Sequence, residues 1–525
     1  MRRSILALLA ALCVVLPAAG SPRFAAAAPQ ALVFARVKDA VDLDPAVATD
    51  GLSLNVTALI LQGLVAFKPG TFEVVPAAAG SWTTSRDGKT WTFTLRPNLK
   101  FSDGTAFDAE AVKFNFDRWR LSSNPYRGNY QFSYYETEFG GFPGLIADVR
   151  VDSSLKLTFK LARAYGPFLR NLAMPSFAIG SPSAIKADII AFDHHPVGSG
   201  PYELAEWVRD DHITLRANPA FSPQPAYQTV IIRDIPDQAT SVLELQKGGI
   251  DGLSDLRPDD AKNLAKNKAI KIYRQPSNNV SYLAMNMDKK PFGDLRVRQA
   301  IAYAIDIPAI VRAFYPTGGT VANEWLPPAM LGDNPSVRAY PHDPAKAKKL
   351  LAEAGFPHGF STELFYGTAP RPYMPEPGRV AEAIAADLKQ VGINVTLSPF
   401  EWAVYLSKIK NGEHAMCLIG WTGDNGDPDN FLYTLLDKDS AVKGGQNYSF
   451  WRDERFHALM LEGQSTLTES KRASIYARAV KLVHDETPAI PLVHTTVPFA
   501  MKTTIGGVIP RPDSELNFEL MYPQK

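Results

Sequence analysis

The chain has 525 residues, 46% hydrophobic and 21% charged, with 55 basic and 54 acidic side chains. That is more length than one hydrophobic core serves, so two or more domains are expected. The even charge balance, with no low-complexity tail and no short internal repeat, excludes a polybasic nucleic-acid binder, a solenoid and a disordered chain.

The first 27 residues read as a secretory signal. Arg2 and Arg3 form a charged start, and the apolar core from Ile5 to Leu16 is too short to span a bilayer. Ala25-Ala26-Ala27 offers a cleavage site, with Ala18-Ala19-Gly20 as a second. Cys13 lies inside the apolar core behind Leu12, which speaks against a lipid anchor. Cleavage removes Arg2, Arg3 and Arg23 but no acid, so the formal charge moves from +1 to about −2, away from nucleic acid and anionic lipid. It also leaves Cys417 as the one cysteine, and no intrachain disulfide can form. No later stretch approaches about 18 uninterrupted apolar residues, so a periplasmic protein without membrane insertion is expected.

Ala31 to Val37 predicts a strand that runs into a loop at Asp42 to Gly51, and Ser53 to Leu64 has helical spacing. Asp87-Gly88 predicts a hairpin turn before Thr90 to Leu95, which alternates like a half-buried strand. Asp103-Gly104 is a second turn, and Asp108 caps a helix from Ala109 to about Trp119. The run combines Trp82, Ser85-Arg86-Asp87-Gly88-Lys89-Thr90, an aromatic strand ending in Leu95-Arg96, and Phe101-Ser102-Asp103-Gly104 before a helix. It resembles the signature of the family 5 extracellular solute-binding proteins, which serve ABC-type peptide and nickel importers. Ser102 stands where the family often has His.

Later segments resemble the same family. Pro196-Val197-Gly198-Ser199-Gly200-Pro201-Tyr202, with Trp207 beyond, is a Gly-rich turn before a strand. Pro236-Asp237 through Gly248, Gly249 and Asp251 is a helix-then-strand unit. Val297 to Asp306 is a helix, and so is Asp343 to Gly355, where Asp343 caps, Pro344 opens and Gly355 ends the turn. The resemblance covers about residues 31 to 500. It implies an α/β, two-lobed periplasmic-binding-protein fold of type II, the Venus-flytrap arrangement, with an extra subdomain in the first lobe. The implied layout is a signal peptide at 1–27, lobe I at 28–280 plus 496–525 with the subdomain at about 61–197, and lobe II at 281–495. Crossings between lobes are expected near Asn278 to Met287, where Val280 to Met285 reads as a strand, and near Pro491 to Thr496, after a helix from Glu469 to His484.

An apolar segment, Ala415 to Ile419, reads as a short buried strand, and Gly420-Trp421-Thr422-Gly423-Asp424-Asn425-Gly426-Asp427-Pro428-Asp429-Asn430 follows it. An acidic, glycine-rich loop at a strand end suits an ammonium group, although Asp-Gly and Asp-Pro pairs also make plain turns. Upstream, Arg371 lies between Pro370 and Pro372, which restrict the backbone on either side. A guanidinium grips a carboxylate with two parallel bonds. A small peptide carries an ammonium at one end and a carboxylate at the other. Extended residues span at most ~3.3–3.6 Å each, so a fixed acid and a fixed base gauge ligand length.

Within the family, the stretch from Arg371 to Phe431 is similar to the dipeptide-binding proteins. The resemblance implies that Arg371 takes the ligand carboxylate, Asp424 takes the amine and Trp402, after Glu401, forms a wall, with Tyr373, Trp421, Thr422 and Gly423 as neighbours. The cysteine pair those proteins often carry after the acidic loop is missing here. Implied partners are a peptide ligand and ABC permease subunits, met by a monomer. The alternative keeps the fold and changes the solute to an oligopeptide, glutathione, an opine, haem or a nickel chelate. Asp193-His194-His195 lacks further ligands at useful spacing, and Asp424, Asp427 and Asp429 lack the glycine an EF-hand requires, so neither metal nor cofactor is expected. A secreted hydrolase is the minor alternative: there is no Gly-x-Ser-x-Gly elbow and no His-Glu-x-x-His helix, and Cys417 sits in an apolar run.

Overall fold

The computed structural model describes residues 31–524 except 142–143, 255, 276, 316–317, 329 and 514, so the expected signal at 1–27 lies outside the described residues. Leu32–Arg36 is the strand expected at the start, and it forms the middle of a seven-stranded mixed sheet. It runs parallel to Thr229–Asp234 on one side and to Gly252–Leu253 on the other. Leu32 and Phe34 pack into one apolar layer and Ala35 into the layer on the opposite face, as period-two alternation in a covered strand requires. The C-terminal strand Pro498–Lys502 returns into this sheet, antiparallel between Gly252–Leu253 and Ile270–Arg274.

A six-stranded sheet is built from the intervening chain, in the order Gly319–Val321, Ala489–Thr495, Asn279–Met285, Met416–Thr422, Ser361–Gly367, Asn394–Phe400. Asn279–Met285 is buried along its whole length. Val280, Tyr282 and Ala284 enter one core layer, and Leu283 and Met285 enter the other. The chain therefore passes from the first sheet to the second between Arg274 and Asn279, and back between Thr495 and Pro498. The two passages are tied together: Asn279 Nδ2 donates to the Thr495 carbonyl at 3.0 Å, and Asn279 Oδ1 accepts from the Thr495 N–H at 2.9 Å and from its hydroxyl at 3.0 Å.

A third, four-stranded antiparallel sheet (Ala79–Thr84, Thr90–Leu95, Lys156–Leu161, Ile146–Ser153) carries its own aromatic core around Phe93, Phe116, Trp119, Phe159 and Phe168. Gly88 turns the first hairpin at φ +70°, and Asp87 accepts the Lys89 N–H. Asp108 caps the helix Ala109–Arg120 by accepting from the Ala111 N–H at 3.0 Å. Asp343 does the same for Pro344–Glu353, which Gly355 closes at φ +90°. One helix differs from expectation: it spans Gly51–Ile60, not Ser53 to Leu64, because Asp50 caps it through the Ser53 N–H. Beyond Ile60 the chain leaves the helix: Leu61 is buried and extended, the part-buried Gln62 bridges to Ile179, and Leu64 is buried. Among the described residues no helix is long and apolar enough to cross a membrane.

Candidate functional site

The strand Met416–Thr422 delivers the acidic loop to the passages between the two sheets. Thr422, half-buried, pairs in register with Asn279. The buried Gly423 donates its N–H to the Asn278 carbonyl at 2.8 Å and accepts from Asn278 Nδ2 at 2.5 Å. Asp424 is thus hung directly beside the first passage. Arg371 is held beside the second, because the Thr495 hydroxyl donates to the neighbouring Pro372 carbonyl at 2.9 Å. A tight turn with paired Arg371 and Met374 backbones fixes the segment. Tyr373 is buried against Gly420, where a Cβ would meet its ring at 2.3 Å, so glycine is needed for that contact.

The loop sorts its three aspartates. Asp427 is fully buried and gripped by Arg472 through two bonds of 2.7 and 2.8 Å. Burial pushes its carboxyl up, but the Arg472 pair, with Arg170 at 3.9 Å, brings it below the ordinary value. Asp429 accepts from Gln464 Nε2 at 3.0 and 3.1 Å. Burial and the neighbouring Asp427 charge push it up to about 7. Asp424 alone of the three is half-buried rather than buried. Tyr134 donates to its Oδ1 at 3.0 Å and Asn430 Nδ2 to its Oδ2 at 3.1 Å. Burial pushes its carboxyl up to about 6, against those two bonds, which hold it down. Among the described residues no cation pairs with Asp424.

Arg371 mirrors it. The guanidinium is half-buried, its carbon lies 3.6 Å from the centroid of the half-buried Trp402 ring, and its Nε is buried with no acceptor. Among the described residues it has no ion pair. Burial pulls its pKa down, with Tyr373 and Glu401 opposing. Trp402 opens the helix Trp402–Lys410, which Glu401 caps by accepting the Ala403 N–H at 2.9 Å. The structure thus brings Arg371, Trp402 and Tyr373 together at one passage and Trp421, Thr422, Gly423 and Asp424 together at the other. Trp421 is linked to Asp424 through Asn430: its Nε1 donates to Asn430 Oδ1 at 3.0 Å, the same oxygen that takes the Asp424 N–H.

Sequence reasoning missed Tyr134, Asn430 and Glu138. Tyr134 comes from the helix Ser133–Phe139, 290 positions before its partner, a separation with no local signal. Asn430 stood in the quoted loop, but its amide side chain was given no role there. Where the cysteine pair is missing, polar contacts hold the chain: His457 Nδ1 lies 2.9 Å from Asp437 Oδ1, and Lys438 pairs with Glu454 at 2.6 Å. Asp437, Asp439 and His457 lie close enough together to hold a cation, but the His457–Asp437 hydrogen bond already explains their grouping. Cys417 is fully buried and free, and burial pushes its thiol up, away from reactive thiolate.

Two α/β sheets joined by two short passages, with uncompensated opposite charges set beside each, define a two-lobed binding protein of type II. The chain belongs to the bacterial extracellular solute-binding proteins, family 5, whose family model ("Middle") matches residues 73–442. It is 36% identical over 489 residues to the dipeptide-binding protein of Escherichia coli, covering 91% of each chain. It is 32% identical over 495 residues to heme-binding protein A of Haemophilus influenzae, covering 91% of this chain and 90% of that one. Among solved structures it resembles an ABC transporter-associated periplasmic binding protein from Helicobacter pylori in complex with the peptide STSA. The TM-score is 0.82 at 30% identity, over 94% of this chain and 98% of that one. The family is one of solute-binding proteins, not of enzymes.

Proposed function

We propose that this chain is the periplasmic solute-binding component of an ABC importer, and that it captures dipeptides or short peptides for the membrane permease. The lobes would be residues 28–280 plus 496–525 and residues 281–495, after removal of a signal at 1–27. The ligand lies between them, with Arg371 on its carboxylate, Asp424 on its ammonium and Trp402 as a wall. Tyr373, Trp421, Thr422 and Gly423 shape the surroundings.

One observation carries the reading. Arg371 and Asp424 are half-buried opposite charges without counter-ions among the described residues, each fastened beside one of the two passages between the sheets. A buried unpaired charge is costly, so such a pair stands ready for a ligand that brings both missing charges. A zwitterionic peptide does so. The dipeptide-binding and peptide-bound relatives support the same class of ligand. Because a relative is named for haem, haem is the alternative to exclude.

Calorimetric titration of residues 28–525 with Ala-Ala, Ala-Ala-Ala, N-acetyl-Ala-Ala and haem tests this. Binding of Ala-Ala that acetylation abolishes is the expected result. Binding of haem with no response to any peptide would overturn it.

A further inference from the structure

Behind Asp424 lies an acid that the ligand reading does not use. Glu138 is 8% exposed and sits one helical turn after Tyr134 on Ser133–Phe139, so both side chains face the acidic loop. Asn430 Nδ2 lies 3.1 Å from Asp424 Oδ2 and 3.4 Å from Glu138 Oε1, so one amide joins two carboxyl groups. These two acids come from different parts of the chain: Glu138 from the unit with the four-stranded sheet, Asp424 from the end of a strand in the six-stranded sheet. The other groups that face Glu138 are accounted for. Asp427 is committed to Arg472. Arg170 reaches Asp427 at 3.9 Å and Glu469 at 3.3 Å. Asp429 is held by Gln464, with the Tyr165 hydroxyl at 3.5 Å. Tyr134 donates to Asp424.

Two carboxylates that share one amide, with no cation between them among the described residues, cannot both stay ionised out of water. The hydrogen bonds decide which keeps the proton. Asp424 has a donor on each oxygen, whereas Glu138 has the single long contact to Asn430. Burial first, then the charges of Asp424, Asp429 and Asp427, push the Glu138 carboxyl well above the usual range. Asp424 stays lower, at about 6.

We propose that Glu138 is a specificity residue for the ammonium end of the ligand: it takes up one proton from solvent as the lobes close, so that the acidic wall offers one negative charge to one ammonium. The inference rests on the peptide reading above. With the lobes apart, Glu138 faces water and is an ordinary carboxylate, ionised at neutral pH. With the lobes closed, it is a neutral acid accepting from Asn430, and the balance is one carboxylate plus one proton giving one carboxylic acid. The sign follows. A group whose closed-state pKa is raised favours closure at low pH, and that contribution is lost as pH rises. The Glu138 contribution therefore makes peptide affinity fall as pH rises above the ordinary glutamate range and on through neutrality, by at most about tenfold per pH unit. Glu138→Gln keeps the shape and the Asn430 contact without the charge. It should bind Ala-Ala at pH 7 about tenfold more tightly than the wild type and without the Glu138-linked fall in affinity from pH 6 to 7.

The test is titration of residues 28–525 with Ala-Ala at pH 7, where the peptide amine is already protonated, in phosphate and in imidazole, whose different ionisation enthalpies give the number of protons exchanged. About one proton taken up per peptide by the wild type, and about none by Glu138→Gln, is expected. Wild-type binding with no uptake overturns the inference while leaving the peptide reading intact, and it needs no variant. Equal uptake in the Gln variant also overturns it, and would assign the proton to Asp429. Absence of any Ala-Ala binding overturns the peptide reading, and this inference with it.

Discussion

Replacing Arg371 by lysine separates the charge of this residue from its shape. The charge remains. The planar fork is lost, and with it one of two charge-assisted hydrogen bonds to a ligand carboxylate, worth ~1.5–3 kcal/mol. The stacking on Trp402, 3.6 Å from guanidinium carbon to ring centroid, is weakened too. At a half-buried site that contact is worth ~1–2 kcal/mol. Together these give about 2.5–5 kcal/mol, roughly two to three and a half decades in dissociation constant. Trp402→Leu removes the stacking alone and should cost about 5- to 30-fold. Since the ring orients the guanidinium, the two losses overlap, and the double variant should show a coupling of about 1 kcal/mol in the cycle. Calorimetry with Ala-Ala measures all four proteins. Affinity of Arg371→Lys within threefold of the wild type would refute the bidentate grip. Strict additivity would refute the orienting role of Trp402.

Two further consequences follow from the loop. Arg472→Met leaves the fully buried Asp427 carboxylate without its two short bonds, which should destabilise the protein by about 3–5 kcal/mol in urea unfolding, with much of the loss recovered in Arg472→Met/Asp427→Asn; a loss below about 1 kcal/mol would show the pair to be unimportant. Asp424 is raised to about 6 before a ligand ammonium lowers it, so its contribution to affinity is whole above that value and is lost as pH falls through it, by at most about tenfold per unit; calorimetry at pH 5 and 7 in the Glu138→Gln background, which lacks the opposing Glu138 dependence, should show this with Asp424 and not with Asp424→Asn, and equal affinity at both with Asp424 present would remove it from the amine site.

What could be read from the sequence was local. Asp87-Gly88, the Asp108 cap and the Asp343, Pro344 and Gly355 boundaries are set by residues within four positions of one another, and each lies where expected. The buried strand before the acidic loop was legible because Met416 to Ile419 is uniformly apolar. The helix expected at Ser53 to Leu64 was misplaced because Leu61 and Leu64 continue an apolar run, but both are buried outside the helix, which ends at Ile60. The chemistry inside the loop was not legible. Asp424, Asp427 and Asp429 are the same residue type within six positions, and what separates them comes from afar: Tyr134 from 290 positions before, Arg472 from 45 positions after. Arg371 between prolines was visible as a candidate, but its stacking on Trp402 depends on how two strand ends meet.

The division among the three aspartates also explains how the proposed site can hold an unpaired charge and still fold. Asp427 and Arg472 neutralise each other and anchor the loop to the helix Glu469–Glu486. Asn425 donates to Asn171 Oδ1 at 2.7 Å, and Gly426, at φ +65°, lets the backbone press on Phe72, where a Cβ would sit 2.2 Å from the ring. Asn430 then takes the Asp424 N–H with its oxygen and supports the carboxylate with its amide. Every group around Asp424 is committed to keeping that side chain in place, and none of them supplies a positive charge. Arg371 is held in the same fashion by a ring and a backbone turn. In the proposed binding mode, closing the lobes removes water from both, which is unfavourable for an empty cleft and for a ligand with one charged end. A ligand with both charges at the right separation removes both penalties at once. Because each penalty is of the order of a whole charge-assisted bond, about 1.5–3 kcal/mol, the discrimination against a blocked terminus should exceed anything a side-chain pocket contributes.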